Sequence, residues 1–164
     1  MGEQNPAPII ITPDPVKIRL SPLGFQTWAK QFLKAAQAIE DTDEFFPVRY
    51  FLTCRTIELA LKAYLLARGC SRKELKDKIR HDLCRALKKA QGESLAEVVE
   101  LSDAEREAVN KANVPYNSKR FEYFEVVDAM RGFPDRPDAA LLLRVAEKLA
   151  IGVQATCEAS VNTT

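Results

Sequence analysis

The chain has 164 residues, 46% of them apolar and 29% charged, with a formal net charge of +1. That length fills one hydrophobic core and is short for two, and the near-neutral balance excludes a chain whose whole surface attracts nucleic acid or anionic membrane. Only six glycines, and nine prolines gathered toward the N-terminus and apparent helix borders, leave room for long helices, so the expected fold class is all-α.

Residues 1–20 carry Pro6, Pro8, Pro13 and Pro15, which forbid a helix and predict an extended arm. Its end, Val16 to Leu20, alternates apolar and basic residues with the period of a strand; a disordered tail is the alternative reading. Residues 21–160 are expected to form a single helical domain. Ser21 before Pro22 reads as an N-cap, and Phe25, Trp28, Ala29, Phe32, Ala35, Ala36 and Ile39 follow at helical spacing to about Asp41. Asp43 to Pro47 predicts a turn, and a second helix runs from Arg49 to Gly69, apolar on most sides.

Arg55, Glu58 and Lys62 interrupt that second helix. At 100° per residue they fall within an arc of about 60°, one charged stripe on a helix otherwise fit for a core. Burying charge is costly unless it is paired, so the stripe needs partners. Three readings stand open: an ion-pair network that fixes how helices meet, a cleft where Arg55 and Lys62 bind phosphate, or a dimer seam.

Farther along, Ser71 to Glu74 has capping-box spacing before a short helix through Ile79. His81-Asp82-Leu83 opens another helix, with Leu83, Ala86, Leu87 and Ala90 on one face and Gly92 at its end. Nine basic residues stand against three acidic ones between Arg68 and Lys89, a local net of +6. Such a run is either a solvated face or a phosphate-binding patch. Ser102 to Glu105 repeats the capping box before a helix to about Asn113, where Val114 to Asn117 breaks the pattern. Residues 118–135 mix aromatic, β-favouring and breaking residues and read as an irregular packed connection. Pro137 starts a final long helix with Leu142, Val145, Ala146, Leu149 and Val153 inward, fraying from Glu158.

The chemistry-bearing motifs are few. Cys54, Cys70, Cys84 and Cys157 have no C-x-x-C spacing and His81 is the only histidine, so neither a metal nor a cofactor is expected. A nucleophile elbow, a P-loop and a Gly-rich dinucleotide turn are all absent from the sequence. With no long apolar run and no signal-peptide pattern, the expectation is a reduced, cytoplasmic protein with no membrane partner. Tyr116, Arg120 and Tyr123 combine aromatic faces with a cation, a set suited to stacking on bases but equally suited to a core.

Three patterns in this order resemble the HEPN family, helical domains named for higher eukaryote and prokaryote nucleotide binding. They are Thr56 to Ala63 with Glu58 and Lys62, His81-Asp82-Leu83 with Leu87, and Val109-Asn110 followed by Asn113, Tyr116, Arg120 and Tyr123. The resemblance implies an antiparallel up-and-down bundle of four to five helices, with short accessory helices beside the extended arm, and often a homodimer. It implies nucleotide or RNA binding, RNA cleavage, or pairing with a nucleotidyltransferase-like protein in toxin–antitoxin or defence systems. Ribonuclease members carry an Arg followed four to six residues later by a His, whereas no histidine follows His81 here. The leading expectation is therefore a non-catalytic binding or regulatory module. Its candidate ligand-binding residues are Arg55, Glu58, Lys62, His81, Tyr116, Arg120 and Tyr123, and no catalytic residue is assigned. A divergent metal-independent ribonuclease built on His81 is the alternative.

Overall fold

Helix α1 spans Pro22–Ala38 because Ser21 caps it, accepting a hydrogen bond from the Gly24 amide at 3.1 Å, with proline in the first turn. This is the first helix in a computed structural model that describes residues 20–42, 46–119 and 138–161. The extended arm, the connection beyond Lys119, and the residues after Val161 lie outside the described residues. Helices account for the regular structure throughout and no strand occurs among the described residues, so the fold is all-α.

Helix α2 spans Phe46–Ala67 and buries 13 of its 22 residues, which places it at the centre. It packs against α1, α4 (Leu83–Gly92), α5 (Asp103–Asn117), α6 (Ala139–Gly152) and α7 (Gln154–Val161). Between α2 and α4 lie α3 (Arg72–Glu74) and a wider π-helical turn, Leu75–Ile79; a 3₁₀ turn, Leu95–Glu97, follows α4. Ile57, Leu61, Leu65, Leu83, Val109, Leu142 and Leu149 form the core together with Cys54, all essentially without solvent contact. Each such side chain contributes roughly 1.5–3 kcal/mol when its apolar surface leaves water.

Polar pins join the ends of this core. Gln26, buried on α1, donates from Nε2 to the Ala150 carbonyl at 3.0 Å, and the Tyr64 hydroxyl donates to the Glu93 carbonyl at 2.5 Å. Glu105 completes a capping box with Ser102 and also accepts from Lys148 at 2.6 Å, tying α5 to α6. Lys148 and the Ser102 backbone more than offset burial and hold the Glu105 carboxyl below the usual carboxylate value.

Several expected boundaries move. Helix α2 begins at Phe46 rather than Arg49, since Pro47 sits in a first turn that needs no amide donor and buried Phe46 anchors the start. Helix α5 continues through Pro115 to Asn117 instead of ending near Asn113, because buried Tyr116 holds the last turn against the interior. The capping box expected at Ser71 to Glu74 is only half formed: Ser71 accepts from the Glu74 amide, while the Glu74 carboxylate faces Lys78 and Lys89. On α1 the buried set is Gly24, Gln26, Ala29, Leu33 and Ala36, leaving Phe25, Trp28 and Phe32 half-buried and Ala35 exposed. The final helix breaks at Val153 and resumes as α7, whose buried Cys157 carries helical structure past the point expected to fray.

Candidate functional site

Glu58 is the buried centre of the site, at 1% exposure. Its Oε1 accepts from Lys62 Nζ at 2.5 Å and faces His81 Nδ1 at 3.2 Å; its Oε2 accepts from Arg55 Nη1 at 3.0 Å and from the Tyr116 hydroxyl. Helix geometry supplies the first two cations, at i−3 and i+4 on α2. Tyr116 arrives from α5, and His81 from the linker between the π turn and α4. Every acceptor direction of the carboxylate is used.

The electrostatics follow from that crowding. Burial pushes the Glu58 carboxyl up, but the charges of Lys62 and Arg55 and the hydrogen bonds from Lys62 and Tyr116 bring it below the usual carboxylate value. Burial, then the Glu58 charge, pushes the Tyr116 hydroxyl far up, so it stays protonated and donates. Burial works against the Arg55 cation, but Glu58 and Tyr116 outweigh it and raise its value. Because an ionised carboxylate only accepts, the proton in the His81 contact belongs on Nδ1, which leaves Nε2 as the lone-pair nitrogen of the neutral ring. The His81 side chain is 53% exposed and so belongs to both the network and the surface.

The linker that bears His81 is held in an unusual conformation. The Arg80 amide donates to the Leu75 carbonyl at 2.8 Å, closing the π turn, and Arg80 takes φ 55° and ψ −117°. That region suits glycine, and an L side chain there costs about 1–3 kcal/mol. On the other side, Asp82 caps α4 by accepting from the Arg85 amide at 3.0 Å. Asn113 of α5 clamps the same turn, accepting from the Leu83 amide at 2.7 Å and donating to Asp82 Oδ1 at 3.2 Å. Thus α5 fixes both halves of the His81–Glu58 contact, one through Asn113 and the other through Tyr116.

Two clefts open on this cluster. One, of about 290 Å³, is lined by Phe32, Phe51, Arg55, His81, Tyr116 and Lys119. Phe51 and Tyr116 pack with ring centroids 5.8 Å apart, and the Arg55 guanidinium lies 6.0 Å from the Phe32 ring centroid, a cation–π contact. The second cleft, of about 330 Å³, is lined by Ile79, Arg80, His81, Asp82, Arg85, Asn117 and Lys119. His81 and Lys119 are common to both walls.

Five of the seven residues singled out from the sequence, Arg55, Glu58, Lys62, His81 and Tyr116, therefore meet in one network. Arg120 and Tyr123 lie outside the described residues. His81 contacts Glu58, while Asp82 is the residue that caps α4. Phe32, Phe51, Lys119 and Asn113 are site residues that sequence reasoning does not single out. Phe32 shows there only as part of an apolar stripe, and Asn113 only as part of the third pattern. Among the described residues no cluster of three or more His, Cys, Asp or Glu side chains is arranged to hold a metal ion, and no helix is long and apolar enough to cross a membrane. No protein-family model matches the chain, and neither a curated protein nor a solved structure matches it.

Proposed function

We propose that the chain is a HEPN-like, non-catalytic binding module whose ligand presents an aromatic base beside negative charge: a nucleotide or a stretch of RNA. The observation that carries this reading is the 290 Å³ cleft, where the rings of Phe32, Phe51 and Tyr116 line a wall shared with the Arg55 and Lys119 cations and the His81 imidazole. Glu58 has the role of an organiser in this reading. Its acceptor sites are saturated by Arg55, Lys62, Tyr116 and His81, so it orients donors and takes no substrate proton. The same proposal includes an antiparallel up-and-down bundle of four to five helices, a homodimer in the cytoplasm, and a regulatory role with a protein partner such as a nucleotidyltransferase-like protein of a toxin–antitoxin pair.

Thermal unfolding with the four common ribonucleotides and a short single-stranded RNA tests it. A ligand at 100 times its dissociation constant stabilises by about 2.7 kcal/mol, which raises the midpoint of a chain this size by about 5–10 °C. Phe51→Ala should abolish that rise in a folded protein. Absence of any rise with the whole panel would reject the reading.

One observation favours a second reading. A His81 ring oriented through Nδ1 by a carboxylate, with Nε2 left over, is an arrangement used by general bases. A divergent metal-independent ribonuclease would cleave mixed RNA in EDTA and lose that activity in His81→Ala. No cleavage by the wild type would dismiss it.

A further inference from the structure

The second cleft has a chemistry of its own. Arg80, His81, Arg85 and Lys119 line it with basic groups, and among the described residues Asp82 is its one carboxylate. Asp82 is already occupied, accepting from the Arg85 amide and from Asn113 through Oδ1 while Oδ2 faces Arg85 Nε at 3.2 Å. Its charge is thus matched by one arginine. Arg80 is the cation without a claim on it: among the described residues its guanidinium makes no ion pair or hydrogen bond, and it is exposed at the cleft.

Backbone conformation points to the same place. Three non-glycine residues have positive φ among those described: Arg80 at 55°, Ser94 at 64° and Lys119 at 58°. Two of the three line this cleft and both are cations. At Arg80 a glycine would be the relaxed choice, and among the described residues the arginine guanidinium makes no ion pair or hydrogen bond that would offset the strain. A strained residue whose side chain, unlike its amide, bonds to nothing among the described residues is explained by what that side chain meets from outside.

We infer that the Arg80/His81/Arg85/Lys119 cleft is an anion subsite that takes a phosphate group of the ligand whose base occupies the adjoining aromatic cleft. This rests on the base-binding reading above and deepens it by assigning the ligand's phosphate to named residues of the second cleft. The forked guanidinium donors of Arg80 and Arg85 match tetrahedral phosphate oxygens, and the shared wall of His81 and Lys119 places the two compartments side by side.

The test is calorimetric titration of the full chain at about 50 mM salt, where screening of exposed cations is modest. The probes are inorganic pyrophosphate, the four ribonucleosides, their 5′-diphosphates, and a tetranucleotide RNA lacking terminal phosphates. Diphosphates are expected to bind at least about tenfold tighter than the matching nucleosides, and Arg80→Gly to remove about tenfold of diphosphate and pyrophosphate affinity. The glycine variant keeps the backbone conformation without strain, so its unfolding midpoint should stay level or rise, and Arg80→Lys should recover part of the loss. A tetranucleotide that binds with the same Arg80 dependence identifies a strand as the source of the phosphate; a preference for the diphosphates identifies a free nucleotide. Unchanged affinity in Arg80→Gly, or equal affinity for nucleosides and diphosphates, overturns the subsite. Nucleoside binding that is lost in Phe51→Ala but gains nothing from phosphate would leave the base-binding reading standing alone. Pyrophosphate binding that depends on Arg80, with no nucleoside or nucleotide effect, would do the reverse. Absence of binding by every probe defeats both.

Discussion

Replacing Glu58 by glutamine keeps the shape of the side chain and removes its charge. Arg55 and Lys62 are then left facing each other and an amide, and Tyr116 loses a charged acceptor. Removing one partner of a buried pair costs about 3–5 kcal/mol. Arg55 and Lys62 keep 27% and 12% of their side-chain surface in water, which favours the lower end of that range. A loss of about 3 kcal/mol lowers the urea midpoint by about 1.5 M for a slope of about 2 kcal/mol/M, read by circular dichroism at 222 nm. The pH dependence has a definite sign. The folded Glu58 carboxyl lies below its unfolded value, so the stability it contributes is fully present above the unfolded carboxylate value of about 4.3 and is lost as pH falls through the folded value. The gap between wild type and Glu58→Gln should accordingly hold from pH 7 down to about pH 5 and close in stronger acid. A loss below about 1 kcal/mol at pH 7, the worth of an exposed ion pair, would refute the argument that this network is desolvated.

Asn113→Ala leaves the Leu83 amide and Asp82 short of a partner between α4 and α5, and should cost about 1–3 kcal/mol in urea unfolding. It should also broaden or shift the ring resonances of His81, which are unambiguous because the chain has one histidine. Gly152→Ala would drive a methyl group into Val99 Cγ2 and place it 3.3 Å from the Val98 carbonyl, where the buried Val99 has little room to yield. Overpacking of that kind costs about 1–3 kcal/mol, which lowers a thermal midpoint by roughly 2–12 °C in a chain of this size.

The part of the site carried by one helix is legible in the amino-acid sequence. Arg55, Glu58 and Lys62 declare themselves because local periodicity fixes their common face, and a charged stripe on an apolar helix demands partners. Which partners arrive is harder to read. Tyr116 comes from a turn that Pro115 argues against, and the helix persists because the tertiary gain of burying Tyr116 outweighs one missing amide donor. Asn113 pairs with a backbone amide 30 residues away, a contact to which no spacing rule points. The π turn and the positive φ of Arg80 have no marker in the sequence, where Leu75 to Ile79 reads as an ordinary helical turn and Arg80 stands where a glycine would be the signal. Phe32 has the periodicity of a core residue yet is half-buried, because the buried face of α1 is turned toward Gln26 and Leu33.

The pin between Gln26 and Ala150 also sets an order of assembly. Helices α1 and α2 are neighbours in sequence and pair early, since a short loop closes at low entropic cost. The amide of Gln26 must nevertheless wait for a carbonyl 124 residues downstream. At ribosomal speeds of about 5–20 residues per second that interval is about 6–25 s. Throughout it, the side of α1 that α6 and α7 will cover remains wet and open to a chaperone.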